Sequence, residues 1–68
     1  MELHGSVDTL NATAGSFVLR GITVTYGTTT EFDDGTAANL AVGANLEVRG
    51  TLSSTGNTVT ATRIKFDH

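Results

Sequence analysis

The sequence predicts an all-β domain, a small antiparallel Greek-key barrel of five to six strands with bulged first and last strands. Three observations lead there. Thirteen threonines, eight glycines and no proline in 68 residues make a strand-and-turn composition, because threonine packs well on a pleated surface and glycine marks turns, bulges and close approaches. Apolar residues alternate with polar ones at period two in five segments set apart by loop residues. In the first and last of those segments the alternation slips by one residue, which is what a β-bulge does to side-chain parity.

The first strand runs from about Glu2 to Leu10 and puts Leu3, Gly5 and Val7 on one face. Leu10 breaks that parity, and a bulge near Asp8 and Thr9 restores it while turning the strand sharply, as a small barrel requires. Asn11 to Gly15 reads as a hairpin loop. From Ser16 to Tyr26 the chain offers Phe17 and Leu19, a tight turn at Arg20 and Gly21, then Ile22, Val24 and Tyr26, so two strands share one turn. Gly27 and threonines 28 to 30 lead into a short extended piece around Glu31 and Phe32. Asp33, Asp34 and Gly35 form a turn, and Thr36 to Leu40 has room for one helical turn capped by Thr36 or Asp34. The next main strand alternates without a break, Leu46, Val48, Gly50 and Leu52 against Glu47, Arg49 and Thr51, so one face is core. After a polar loop from Ser53 to Asn57, Thr58 to Phe66 carries Val59 and Ala61, then Ile64 and Phe66, which implies a second bulge near Thr62.

The two ends of the chain share a spacing: Leu3, Gly5, Val7 match Val48, Gly50, Leu52, and Phe17, Leu19, Ile22, Val24 match Val59, Ala61, Ile64, Phe66. A duplicated hairpin and two bent hairpins serving one barrel both produce it. Five strands, a bent first strand and a short connection before the fourth favour a barrel of OB type. A simple meander and an SH3-like barrel fit the same strands.

These residues also resemble a known family. LHGSVDTLNATAGSFVLRGITVTYGTTTEF, then LAVGANLEVRGTL and ATRIKF, resemble the bacterial domain of unknown function 5666 across nearly the whole chain. The marks are Gly5 and Val7 in strand one, Gly15 in the hairpin, the Leu40, Val42, Gly43 step, and Glu47, Val48 and Gly50 in strand four. Ala44 stands where the family usually has an acid, and Asn39 where it commonly has an aspartate. The resemblance implies a compact OB-like barrel and an exported setting, periplasmic, cell-envelope or extracellular, in proteins where the domain is often repeated or joined to other segments. It implies no activity.

Sixty-eight residues form one domain, 1–68, and a chain of that size buries only roughly 60% of its unfolded surface, so the core is marginal. Disulfides are excluded by the lack of cysteine, and the two histidines, His4 and His68, lie at opposite ends. Stability must come from a dense β core, from closing the sheet, or from association with a neighbouring domain or subunit. Seven acids against four bases give a formal net charge of −3. That argues against electrostatic binding to nucleic acid or an anionic membrane, where a basic patch is expected. No apolar run reaches the roughly 18 residues a spanning helix needs, and no leader opens the chain, so the expectation is a soluble domain without membrane insertion.

Candidate chemistry is sparse. Glu31, Asp33, Asp34 and Gly35 superficially resemble a calcium loop, but the spacing is wrong for an EF-hand and a plain turn explains them. His4 beside Glu2 reads as a surface strand residue rather than a metal ligand, and His68 fits a leftover tag. Threonines offer many hydroxyls, but no base is placed to activate one, and no nucleophile elbow, phosphate loop or dinucleotide fingerprint occurs. The expectation is therefore a non-enzymatic module with no cofactor and no metal. It presents a threonine-rich surface to a protein partner or its own copies. The alternative is an OB-like binding domain for a glycan or a short anionic polymer such as single-stranded nucleic acid. It would use Arg49, Arg63 and Lys65 on outer faces, Arg20 at a turn, and Tyr26 as the aromatic suited to exposure. Clustering of these side chains on one face is its structural requirement.

Overall fold

The computed structural model describes residues 1–67; His68 lies outside the described residues. Six strands form in the order the alternation sets: β1 (Glu2–Asn11), β2 (Ser16–Leu19), β3 (Ile22–Thr25), β4 (Glu31–Asp33), β5 (Asn45–Leu52) and β6 (Thr58–Phe66). They join as β3-β2-β1-β5-β6-β4, and an additional β3–β6 pairing closes five of them into a barrel. All pairings are antiparallel except β3 with β6 and β4 with β6, which are parallel. The result is the expected all-β barrel with bulged first and last strands, five strands closed and β4 an extra strand laid along the second half of β6.

Both bulges fall where parity slips. In β1 the register against β2 jumps from Val7 to Thr9, so Asp8 is the extra residue. The bulge splits the strand's duties, since Glu2 to Ser6 pair with β5 and Val7 to Asn11 with β2. In β6, Arg49 faces Arg63 and Gly50 faces Ala61, which leaves Thr62 unpaired. Its hydroxyl donates to the Arg49 carbonyl at 3.1 Å. Gly50 is dictated by this crossing, because a Cβ there would collide with the backbone carbonyl oxygen of Thr60. Arg20 and Gly21 have φ of 54° and 79°, the two left-handed residues that a tight type I′ hairpin turn requires. The spacing shared by the chain's two ends therefore arises from different devices. Between Leu19 and Ile22 lies a turn joining two strands; between Ala61 and Ile64 lies a bulge within one.

Inward parity builds one core of Val7, Phe17, Leu19, Val24, Leu46, Val48, Val59, Ala61, Ile64 and Phe66, and Leu40 adds an eleventh buried side chain. Leu40 follows a single 3-10 turn, Ala37–Asn39, whose first residue is preceded by Thr36. The Asn39 side chain accepts from the Thr36 N–H at 2.8 Å and fixes that turn. Leu52 has core parity but is 42% exposed, because it lies at the end of β5, past the strand's last pairing with β1. Phe32 is only half-buried, since β4 lies on the rim of the barrel.

Among the threonines of the 28 to 30 run, Thr30 is the structural one. Its side chain is buried, and its hydroxyl donates to the Ala61 carbonyl at 2.9 Å while accepting from the Gly27 N–H at 3.1 Å. One hydroxyl thus satisfies the buried Ala61 carbonyl and the part-buried Gly27 N–H, and ties the entry of β4 to the bulge of β6.

Candidate interaction surfaces

The outward residues divide the barrel into two faces. Across the first half of β1, then β5, the second half of β6, and β4, the register lines up two rows. One row reads Glu2, Arg49, Arg63, Glu31; the other reads His4, Glu47, Lys65, Asp33. Residues opposite one another in such rows stand about 5 Å apart on the same side of the sheet, and Glu2, Glu31 and Asp33 are in contact with arginines. Arg49 Nε lies 3.0 Å from Glu2 Oε2, Arg63 Nη2 lies 3.2 Å from Glu31 Oε2, and Arg63 Nε lies 3.2 Å from Asp33 Oδ2. His4 Nε2 sits 3.1 Å from Glu2 Oε1 and 3.4 Å from Glu47 Oε1. The hydrogen bond from His4, with the Arg49 charge behind it, holds the Glu2 carboxyl below its ordinary pKa.

Three of the four bases thus share one face, as an anion site would need, but they are interleaved with four carboxylates. Three positive charges against four negative leave that face slightly acidic. Lys65, the remaining base, has Asp33 and Glu47 as its strand neighbours. Arg20 is elsewhere: from the β2–β3 turn it lies over Gly5, and its Nη1 donates to the His4 carbonyl at 3.3 Å. That position covers the β1 edge that β2 does not reach. Tyr26 is apart from all four. It belongs to a chain of rings, Phe17 to Tyr26 at 6.0 Å, Tyr26 to Phe32 at 6.1 Å and Phe32 to Phe66 at 6.4 Å. Tyr26 and Phe32 form part of a shallow cleft of about 510 Å³ with Ala14, Gly15, Thr28 and Thr30.

The other face carries no charge in its rows. Across the second half of β1, β2, β3 and the first half of β6 the register gives Thr9, Val18, Thr23, Thr58, and beside it Asn11, Ser16, Thr25, Thr60, the latter continuing to Thr51 on β5. The bulge residue Asp8 lies at its margin. This is a hydroxyl and methyl surface on the closed part of the barrel, and the Tyr26 cleft borders it. The alternation of Thr23 with Val24 and of Thr58 and Thr60 with Val59 gives these residues their outward parity. Their assembly into rows depends on the parallel closure, which no local pattern encodes. Glu47 was likewise out of reach of sequence reasoning as a partner of His4, since 43 residues separate them until β1 and β5 pair.

No helix among the described residues is long and apolar enough to cross a membrane. Neither the curated proteins nor the solved structures contain a significant match to this chain. A family model does match, over residues 4–65, which takes in all six strands but for their outermost residues. The chain accordingly belongs to the family described as Domain of unknown function (DUF5666).

Proposed function

We propose that this domain is a non-enzymatic interaction module of an exported protein, docking through its uncharged threonine face to another copy of itself or to a neighbouring domain. The observation that carries the reading is the segregation of charge: eight charged or ionisable side chains occupy the rows of one face and none those of the other. Docking desolvates whatever it covers, and charged groups are the costly ones, so interface centres are depleted of them. Threonine supplies a methyl group to bury and a hydroxyl that can find a partner across the contact.

The non-enzymatic part of the reading is supported by the placement of His4. Its ring faces Glu2 and Glu47, and among the described residues no serine or threonine hydroxyl is hydrogen-bonded to it. The exported setting rests on the family resemblance. A second reading, an uncharged glycan as ligand, is favoured by the cleft of Tyr26 and Phe32 beside the hydroxyl rows. Interleaved carboxylates weigh against an anionic polymer on Arg49, Arg63 and Lys65.

The test is solution mass by sedimentation over a dilution series, with thermal unfolding of the same samples, for the parent chain and for Thr23→Lys/Thr60→Lys. Self-association predicts a mass and a melting temperature that rise with concentration in the parent and not in the variant. A parent that stays monomeric throughout removes the second copy as partner. Glycan binding that survives the double substitution but not Tyr26→Ala would favour the cleft.

A further inference from the structure

One cluster on the charged face has chemistry that docking does not use. Glu2 and His4, two residues apart on β1, leave the sheet on the same side, and Glu47 stands directly opposite His4 on β5. The imidazole Nε2 and one carboxylate oxygen from each glutamate all lie within 4.8 Å of one another. As a hydrogen-bonded group this set is mismatched. A single ring N–H is offered to two carboxylates, at 3.1 and 3.4 Å, and can point at only one of them.

As a ligand set it fits better, on the two distances from the imidazole. A tetrahedral zinc site with bonds of about 2.0 to 2.1 Å places its ligand atoms about 3.3 Å apart, and both nitrogen-to-oxygen distances here lie close to that edge. An imidazole nitrogen with two carboxylate oxygens suits zinc and its neighbours in the first transition row. Arg49 Nε holds Glu2 by its other oxygen, Oε2, at 3.0 Å. It therefore orients the carboxylate and leaves Oε1 to the cation, the way an outer partner steadies a ligand. Two carboxylates balance a divalent charge. The three side chains rise from paired strands, so their spacing is set by the sheet rather than by a loop.

From this geometry we infer that Glu2, His4 and Glu47 bind one divalent transition-metal cation of the zinc class, with the remaining coordination positions open to solvent. Binding places the imidazole proton on Nδ1 and ties the first half of β1 to β5.

Calorimetric titration of the chelator-treated protein with zinc chloride tests this, beside thermal unfolding with and without the ion. Expected are one ion per chain, a raised melting temperature, and an affinity at least tenfold weaker in His4→Gln and in Glu47→Gln. His68→Ala, which removes the other histidine, is expected to bind like the parent. Cobalt(II) absorption provides a second readout: visible d–d bands that vanish in His4→Gln while circular dichroism shows the variant folded. Absence of saturable binding in the parent overturns the inference. So does parent-like affinity in His4→Gln or Glu47→Gln, or loss of binding in His68→Ala.

Discussion

The charged half of the barrel and the threonine half share β1, β5 and β6, yet one includes the open strand β4 and the other the closing pair of β3 with β6. In the charged half, the opening residues of β1 have β5 on one side and no strand on the other, and β4 has only β6. On those two strands stand Glu2, His4, Glu31 and Asp33. In the threonine half the β3–β6 pairing closes the ring, and the positions without a second strand are the end of β1, Thr9 to Asn11, and Thr51 and Leu52 of β5. Unpaired edges invite other strands, and charge is a common protection. The comparison shows where this chain spends its few charges: beside edges that need guarding, answered by Arg49, Arg63 and Lys65 between them. Along the seam where β3 meets β6 the surface is left neutral.

If the division is confined to the surface, both halves must share one core, and the largest effects will ignore it. Phe17→Ala beneath the threonine face is expected to cost about 3 to 5 kcal/mol, and Ile64→Ala beneath the charged face about 2 to 5. Either is enough to unfold a domain of this size in a urea titration followed by circular dichroism. A variant that lost only one half would break the comparison at its root.

The next effect separates the halves. Thr30→Val keeps the shape but leaves the Gly27 N–H and the Ala61 carbonyl without their shared hydroxyl, at a cost of about 1 to 3 kcal/mol. Amide exchange should quicken first in β4, with β2 and β3 still protected. Uniform loss of protection would mean that β4 is no separate layer of stability.

Smaller still, Arg63→Ala removes two exposed ion pairs and is expected to cost no more than about 1 kcal/mol, fading with added salt. On the neutral face, Thr60→Val should stay within about 0.5 kcal/mol and show no salt dependence. The last effect is acid sensitivity. Because the folded pKa of Glu2 is depressed, its contribution is present above the unfolded value and is lost as pH falls through the folded one. A small loss of stability below about pH 4.5 should therefore shrink in Glu2→Gln.

Much of this architecture was legible because parity is a local quantity. The slips at Asp8 and Thr62 and the Arg20–Gly21 turn all announce themselves within a few residues, and each is where the alternation puts it. The rest depends on which strands meet. Nothing near Glu31 or Phe32 says that this short extended piece will lie parallel to the end of β6, and nothing near Thr30 separates it from Thr28 and Thr29. Arg20, Arg49, Arg63 and Lys65 are exposed, but their partners are not legible in the sequence: Arg63 meets Glu31 and Asp33 only through a pairing that spans half the chain. The two faces were invisible for the same reason, since rows exist only once register is set.

The parallel seam between Thr23–Thr25 and Thr58–Thr60 also bears on how the molecule comes into being. β6 is the shared neighbour of β3, β4 and β5, so three of the six pairings wait for the last strand to be made. β5–β6 is a local hairpin, but the β3–β6 and β4–β6 contacts require a large loop to be closed before they return any energy, which slows folding. A chain growing from its first residue can form the β1–β2–β3 meander but holds an open sheet until Phe66 is available. Closure of the barrel therefore has to wait for β6, and a truncation that removes β6 leaves no smaller barrel behind.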